Sequence, residues 1–272
     1  MVTTSTQIRF LIAVIVIGLG ALPLCAESSL HQDSEQRLAI LEPVRPGVTE
    51  DQIVRELLTH NELRKSRLAA YASLRTYRVA DVKGKVHAEE IGRMDFHAPD
   101  KKTFVVTSEG GSGLIRHLAL NPLIASEIET SSGKEHHDSA IAPENYIFTL
   151  LGEQQVGRYR CFVLQAAPRR KEKYLFEGKL WIDAQDYAVV RIEGRPAKKL
   201  SFWIEGAEFV RQYQKIGTFW LPQRDETLVQ VRMYGEKVLT IDHQDYVVKE
   251  AQSKEPLSPA AEARTVALIG AN

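Results

Sequence analysis

The chain has 272 residues, with 35 basic and 35 acidic side chains and a formal net charge of zero at pH 7. A near-neutral surface argues against nucleic acid as the main partner and gives no electrostatic reason to sit on anionic lipid. The two cysteines are Cys25 and Cys161. Removal of the first 26 residues would leave one thiol, so a disulfide-stapled scaffold is not expected.

Met1–Arg9 is a short polar start with one positive charge, and Phe10–Leu24 carries no charged or hydrogen-bonding side chain. That run of about 15 residues has the length of a signal-peptide apolar region and is short for a membrane span. Pro23 breaks the apolar segment and Ala26 offers a small residue at the cleavage edge. The expectation is a cleavable secretory signal peptide over 1–26, a mature start near Glu27 and a periplasmic location. Leu22-Pro23-Leu24-Cys25 resembles a lipobox, but Leu24 stands where a small residue belongs, so lipid anchoring at Cys25 is not expected.

Residues 27–48, with Pro43, Pro46 and Gly47, read as a leading segment, 49–250 as one domain, and 251–272, rich in Ser, Pro, Glu and Ala, as a flexible tail. Thr49-Glu50-Asp51-Gln52 is a helix start, since Thr49 can cap and Gln52 can reach back. Ile53, Leu57, Leu58, Leu63 and Leu68 then recur at near-helical spacing and predict an amphipathic helix over about 50–71. From Leu74 the period becomes two. Leu74–Val79, Gly92–Phe96 and Lys102–Thr107 predict strands, interrupted by Gly110–Gly113. A short helix is expected over Pro122–Glu129, with Pro122 in its first turn, and a mobile loop over Ser131–Pro143.

The second half alternates most regularly. Strands are predicted at Tyr146–Leu150, Tyr159–Gln165, Lys173–Phe176, Lys179–Asp183, Tyr187–Glu193, Ser201–Gln214, Phe219–Met233 and Lys237–Val248, with Gly178 breaking the third from the fourth. Short connections without strand–helix alternation favour an antiparallel meander over a Rossmann-type sheet. Tyr146, Phe148 and Leu150 share one strand face, Phe202 and Ile204 another, and Thr227, Val229, Val231 and Met233 a third. A long sheet with one apolar face must cover it. The expected architecture is α+β, a curved antiparallel sheet of about eight to eleven strands wrapped around one or two helices. With so few helical residues as cover, Tyr146, Phe148, Leu150, Phe202, Ile204, Val229 and Val231 are the candidate lining of an apolar ligand cavity.

The runs Gly157-x3-Cys161-x2-Leu164-x3-Pro168, Leu180-Trp181-Ile182-Asp183, Tyr187-x2-Val190-Arg191-Ile192-Glu193 and Gly217-x2-Trp220-Leu221-Pro222 resemble bacterial outer-membrane lipoprotein-sorting proteins. These form the LolA-like superfamily, with its LolB and RseB types. The resemblance spans roughly 50–248, with recognisable motifs over 157–222. It implies an incomplete antiparallel barrel around helices, whose apolar concavity holds a lipid, an acyl chain or a lipoprotein. It implies no catalytic residue and no cofactor. The partner it implies is a lipid or an acylated protein, in sorting or sensing. An alternative is an envelope-stress regulator bound to an envelope protein, as in the RseB type. A third is an exported hydrolase whose carboxylates the fold assembles from distant strands.

Other residues attract chemical readings that their surroundings do not support. His136-His137-Asp138 are adjacent and lack a second ligand cluster, so a solvated loop is expected and no metal. His117 and His243 stand alone. Cys161, among Tyr159, Phe162 and Val163, is expected to be a buried, inert thiol. Ser112 lacks the glycine two residues on that a nucleophile elbow needs, since Leu114 is there, and the stretch reads as a hinge. Trp181, Trp203 and Trp220 are expected to pack in the sheet, and Arg169-Arg170-Lys171 to form a solvated turn.

Overall fold

The structure, a computed structural model, describes residues 41–129, 140–172, 174–199, 202 and 204–251. The expected signal peptide over 1–26, the His136-His137 pair, Trp203 and the tail beyond 251 lie outside the described residues.

The first helix, α1 (Glu50–Arg67), starts where the capping signal puts it. Thr49 is extended, and its hydroxyl accepts from the Gln52 N–H. Glu50 and Asp51 in the first turn and Arg64, Lys65 and Arg67 in the last complement the helix dipole. The helix stops at Arg67, and Leu68–Tyr71, expected as its last turn, open β1 (Leu68–Asp81) instead. Hairpin connections then give β2 (Val86–His97) and β3 (Lys101–Gly111). After β3 the chain makes one α-turn at Gly113–Ile115, widens to a π-turn over Arg116–Leu120 and continues as α2 (Asn121–Glu129). In the widened turn the Asn121 N–H reaches back to the Arg116 carbonyl. Pro122 has no N–H and would crowd the carbonyl four residues back, which the wider turn relieves.

Seven more strands follow: β4 (Tyr146–Val156), β5 (Tyr159–Pro168), β6 (Phe176–Asp183), β7 (Val189–Pro196), β8 (Ile204–Ile216), β9 (Phe219–Val231) and β10 (Gly235–Glu250). All ten lie in one antiparallel sheet of order β3-β2-β1-β10-β9-β8-β7-β6-β5-β4. The expected curved sheet with helices on it is therefore observed. The sheet is open, with β3 and β4 at opposite edges. Register shifts at Ala72/Leu74, Ile91/Gly92, Leu150/Gly152 and Gln212/Tyr213 add the local twist that curls it.

Gly178 does not break a strand as expected. It sits inside β6, directly opposite Gly194 of β7, where the two backbones nearly touch. A Cβ on Gly178 would stand 1.9 Å from the Glu193 carbonyl oxygen. Gly178→Ala is expected to cost about 1–3 kcal/mol in urea unfolding. Gly206→Ala, where a Cβ meets nothing within 4 Å, is expected to stay within about 0.5 kcal/mol of the parent.

Candidate functional site

One face of the sheet carries both helices. α1 presses Ile53, Val54 and Leu57 onto Phe162, Leu164, Leu180, Ile182, Ile192 and Phe209 of the β4–β8 half. Its far end is pinned by Arg64, whose guanidinium donates to the Asp186 and Tyr187 carbonyls at 2.8 and 3.0 Å. α2 covers the other half. Leu120, Leu123 and Ile124 meet Tyr77, Val79, Ala88, Leu239 and Ile241, with Ile115 and Ile128 packed alongside.

Beneath α2 the apolar bed contains a buried charged seat. On β1 the inner face runs Tyr71, Ser73, Arg75, Tyr77, Val79. Arg75 is 0% exposed, Glu127 1% and Lys102 5%. The Arg75 guanidinium donates through Nη1 to Glu127 Oε1 and through Nη2 to the Tyr71 hydroxyl at 3.3 Å. Tyr77 donates to Glu127 Oε2 at 2.9 Å, and Lys102 Nζ to Oε1 at 3.4 Å. Burial pushes the Glu127 carboxyl up, but Arg75 and then Lys102 overcome it and hold it at about 2. Burial outweighs Glu127 at Lys102 and lowers its pKa. Thus α2 contributes one carboxylate to a seat whose other members all come from strands.

A second buried polar group adjoins the first. His243 lies directly opposite Arg75 across β10 and β1, and its Nε2 is 3.1 Å from Asp225 Oδ2. Arg211 Nε lies 3.5 Å from Asp225 Oδ1. Burial, reinforced by Arg75, lowers the His243 pKa against the opposing hydrogen bond from Asp225, which keeps the ring neutral.

The predicted cavity residues fall in different places. Tyr146 is 1% exposed in the cluster under α1, its hydroxyl accepting from the Phe176 N–H, with Phe148 and Leu150 half-buried against the same cluster. Ile204, Val229 and Val231 form a separate buried cluster with Ala207. β8 begins only at Ile204, so Phe202 lies outside the strand. It is 71% exposed, with the Arg232 guanidinium 4.4 Å from its ring centre. Met233 is also outside its predicted strand, in the turn after β9 at φ 68°. The structure thus brings Tyr146, Phe148 and Leu150 together, and Ile204, Val229 and Val231 together, without Phe202.

Arg75, Lys102, Glu127, Asp225 and Arg211 were not singled out from the sequence, and His243 was read as solitary. The usable signal was parity. Arg75 shares the β1 face of Tyr77 and Val79, and an arginine among apolar neighbours on the covered side needs a carboxylate. The other singled-out residues have local roles. Ser112 accepts from the Ile115 N–H and starts the turn that follows β3. Trp181 donates to Gln154 and Trp220 to Asp186, each at 2.8 Å. Arg169 and Arg170 are tied to Pro143 and Asn145 at 2.7 Å. Cys161 is buried, and burial, then Asp183, pushes its thiol up to about 12. Among the described residues no three His, Cys, Asp or Glu side chains gather where they could share an ion.

Among the described residues, grooves open on the opposite, helix-free face. One of about 610 Å³ crosses β5 to β10 and is rimmed by Glu177, Lys179, Glu193 and Arg195. Another, of about 540 Å³, lies over Leu74, Arg93, Asp95 and Val247.

No family model matches the sequence, and no curated protein matches it either. Among solved structures it is similar to a DUF1329 family protein from Desulfovibrio piger, at 13% identity over 78% of this chain and 98% of that one, TM-score 0.40. A domain assigned to outer-membrane lipoprotein sorting in Vibrio parahaemolyticus aligns at 11% identity over 78% and 96%, TM-score 0.40. The MucA/MucB complex of Pseudomonas aeruginosa aligns at 9% identity over 73% and 99%, TM-score 0.27. These are distant likenesses of fold, and what those proteins sort or bind is theirs. An open antiparallel sheet with helices on one face is the architecture that the LolA-like resemblance implies.

Removing one partner of a buried ion cluster strands the others. Glu127→Ala is expected to cost about 3–5 kcal/mol in urea unfolding, while Arg75→Met/Lys102→Met/Glu127→Leu together return to within about 1 kcal/mol of the parent.

The pH dependence has two steps. His243 has a folded pKa below the ordinary 6.5, so the unfolded chain takes the proton first and stability falls as pH drops below about 6.5. Glu127, at about 2 folded against 4.5, keeps its stabilisation above the unfolded value and loses it as pH falls toward the folded one. Urea titrations at about pH 7, 5.5 and 3 are expected to lose the first step in His243→Gln and to shrink the second in Glu127→Gln, with Asp81, Glu153 and Asp186, whose carboxyls are also held low, supplying the remainder.

Proposed function

We propose that the chain is an exported, non-catalytic periplasmic binding protein for a lipid, an acyl chain or an acylated protein, acting in envelope lipoprotein sorting or sensing. The ligand chamber is the inner face of the half-barrel, and Gly113–Glu129 is its lid. The observation that supports this is how the lid is seated. It rests on the apolar bed of Tyr77, Val79, Leu239 and Ile241, and its carboxylate Glu127 meets Arg75 and Lys102. Raising such a lid exposes an apolar surface that an acyl chain can replace. Each methylene buried there contributes about 0.8 kcal/mol before ordering costs. The grooves of the outer face are rimmed by charge and suit an acyl chain less well.

A fluorescent fatty-acyl probe tests the reading. The wild-type protein is expected to take it up saturably. Glu127→Gln, which unseats the lid, is expected to take it up about tenfold faster or tighter, with circular dichroism confirming the fold. Phe202→Glu, on the exposed side, is expected to bind as the wild type does. No saturable uptake by either wild type or Glu127→Gln, or uptake that Glu127→Gln leaves unchanged, overturns the proposal.

A further inference from the structure

The two edges of the sheet are treated differently. At β4 the leading segment pairs with the edge: Glu42 and Glu153 exchange backbone hydrogen bonds at 2.8 and 2.9 Å, and Glu153 also accepts from the Arg45 N–H at 3.2 Å. At β3, among the described residues, β2 is the single strand neighbour. The end of β3 is closed off, since Arg116 Nη1 donates to the Gly110 and Gly111 carbonyls at 2.8 and 3.0 Å. Among the described residues that leaves Lys101–Glu109 as an unpaired edge, about 30 Å long at strand spacing.

The composition of that edge is unusual for one left to water. Thr103-Phe104-Val105-Val106-Thr107-Ser108 has no charge and is rich in β-branched residues, with Val105 60% and Val106 43% exposed. Such an edge is a template for another strand, and proteins normally blunt it with charge, proline or a cover. The charges sit at its ends instead. Lys101 is exposed and, among the described residues, has no ion-pair partner, while Glu109 at the other end is half-exposed and touches Arg116. A strand basic at its start and acidic at its finish is complementary to its own antiparallel copy.

We propose that β3 is a self-pairing edge, and that two copies of this chain join β3 to β3 about a two-fold axis through Val105. Val105 then faces its own copy, Phe104 faces Val106, and the end of β3 that carries Lys101 lies beside the end of its copy that carries Glu109. The bulge at Thr107, which adds one residue to β3 opposite Ile91 and Gly92, turns Glu109 onto the helix-bearing face while Lys101 stays on the other, so the two charges attract across the strand ends rather than as directly opposite side chains. The interface is isologous, so this attraction occurs twice.

Analytical ultracentrifugation of the exported protein tests this. The parent is expected to be a dimer. Glu109→Lys is expected to weaken association about tenfold, because the attraction between Lys101 and Glu109 at both ends of the interface becomes repulsion. The charge swap Lys101→Glu/Glu109→Lys is expected to restore the dimer. Glu109 also touches Arg116, so Val105→Lys, which faces itself across the axis and disturbs no lid contact, must weaken the dimer independently, with unchanged circular dichroism in both. Val105→Cys is expected to cross-link to its own copy on mild oxidation. A monomeric parent at all accessible concentrations overturns the proposal, including where the edge proves to take a strand from another protein. A dimer insensitive to Glu109→Lys and Val105→Lys, or one that Val105→Cys does not cross-link, overturns it by placing the interface elsewhere.

Discussion

An antiparallel sheet with one apolar face has to bury that face, and here the same sheet has its two sequence-adjacent strands, β3 and β4, at opposite edges. Ten strands at about 4.8 Å spacing put those edges roughly 43 Å apart along the sheet. The chain between them has to pass from one edge to the other. Its described first part, Gly113–Glu129, runs over the apolar face and lays α2 on the half that α1 does not reach. One segment thus serves both connection and burial.

The two covers are not equivalent. α1 is held by aliphatic contacts and by Arg64 donating to backbone carbonyls, an arrangement with nothing to gain by opening. α2 is held by a smaller apolar patch and by a carboxylate seated between Arg75 and Lys102. A buried ion pair loses to desolvation much of what it gains from attraction, so its net holding strength is modest. What it supplies is register, because Glu127 fits where Arg75, Lys102 and the Tyr77 hydroxyl converge and nowhere else along the bed. A cover that is well registered but modestly held is what a lid requires.

Period-two alternation and a capping signal are local properties, which is why the strands, α1 and the one-faced sheet could be read from residues alone. What local pattern does not carry is partnership between distant positions. Arg75 and Glu127 are 52 residues apart, and neither sequence neighbourhood contains the other. Gly178 was misread for a related reason. A glycine in a strand signals either a break or a close approach, and only Gly194 on the adjacent strand shows which. Phe202 and Met233 were placed on strand faces because alternation does not announce its last residue. The bulges at Ala72/Leu74 and Leu150/Gly152 were likewise invisible, and each reverses which side the following residues face.

On the proposed reading lid and ligand compete for one surface, and affinity is then set by a difference rather than by the size of the bed. The lid's inward apolar residues are Ile115, Leu120, Leu123, Ile124 and Ile128. At about 1.5–3 kcal/mol each when fully buried, they represent on the order of 10 kcal/mol of gross apolar contact. A saturated chain gains about 0.8 kcal/mol per methylene in the same place, so it matches the lid only near a dozen methylenes. On that reading shorter chains leave the bed to the lid and longer ones displace it. Part of that exchange returns, since a displaced lid keeps some burial and a bound chain loses conformational freedom. The threshold survives these corrections because both contributions scale with the same buried area. Selection by length therefore needs no polar recognition element. It follows from an apolar bed whose default occupant is a segment of the protein itself.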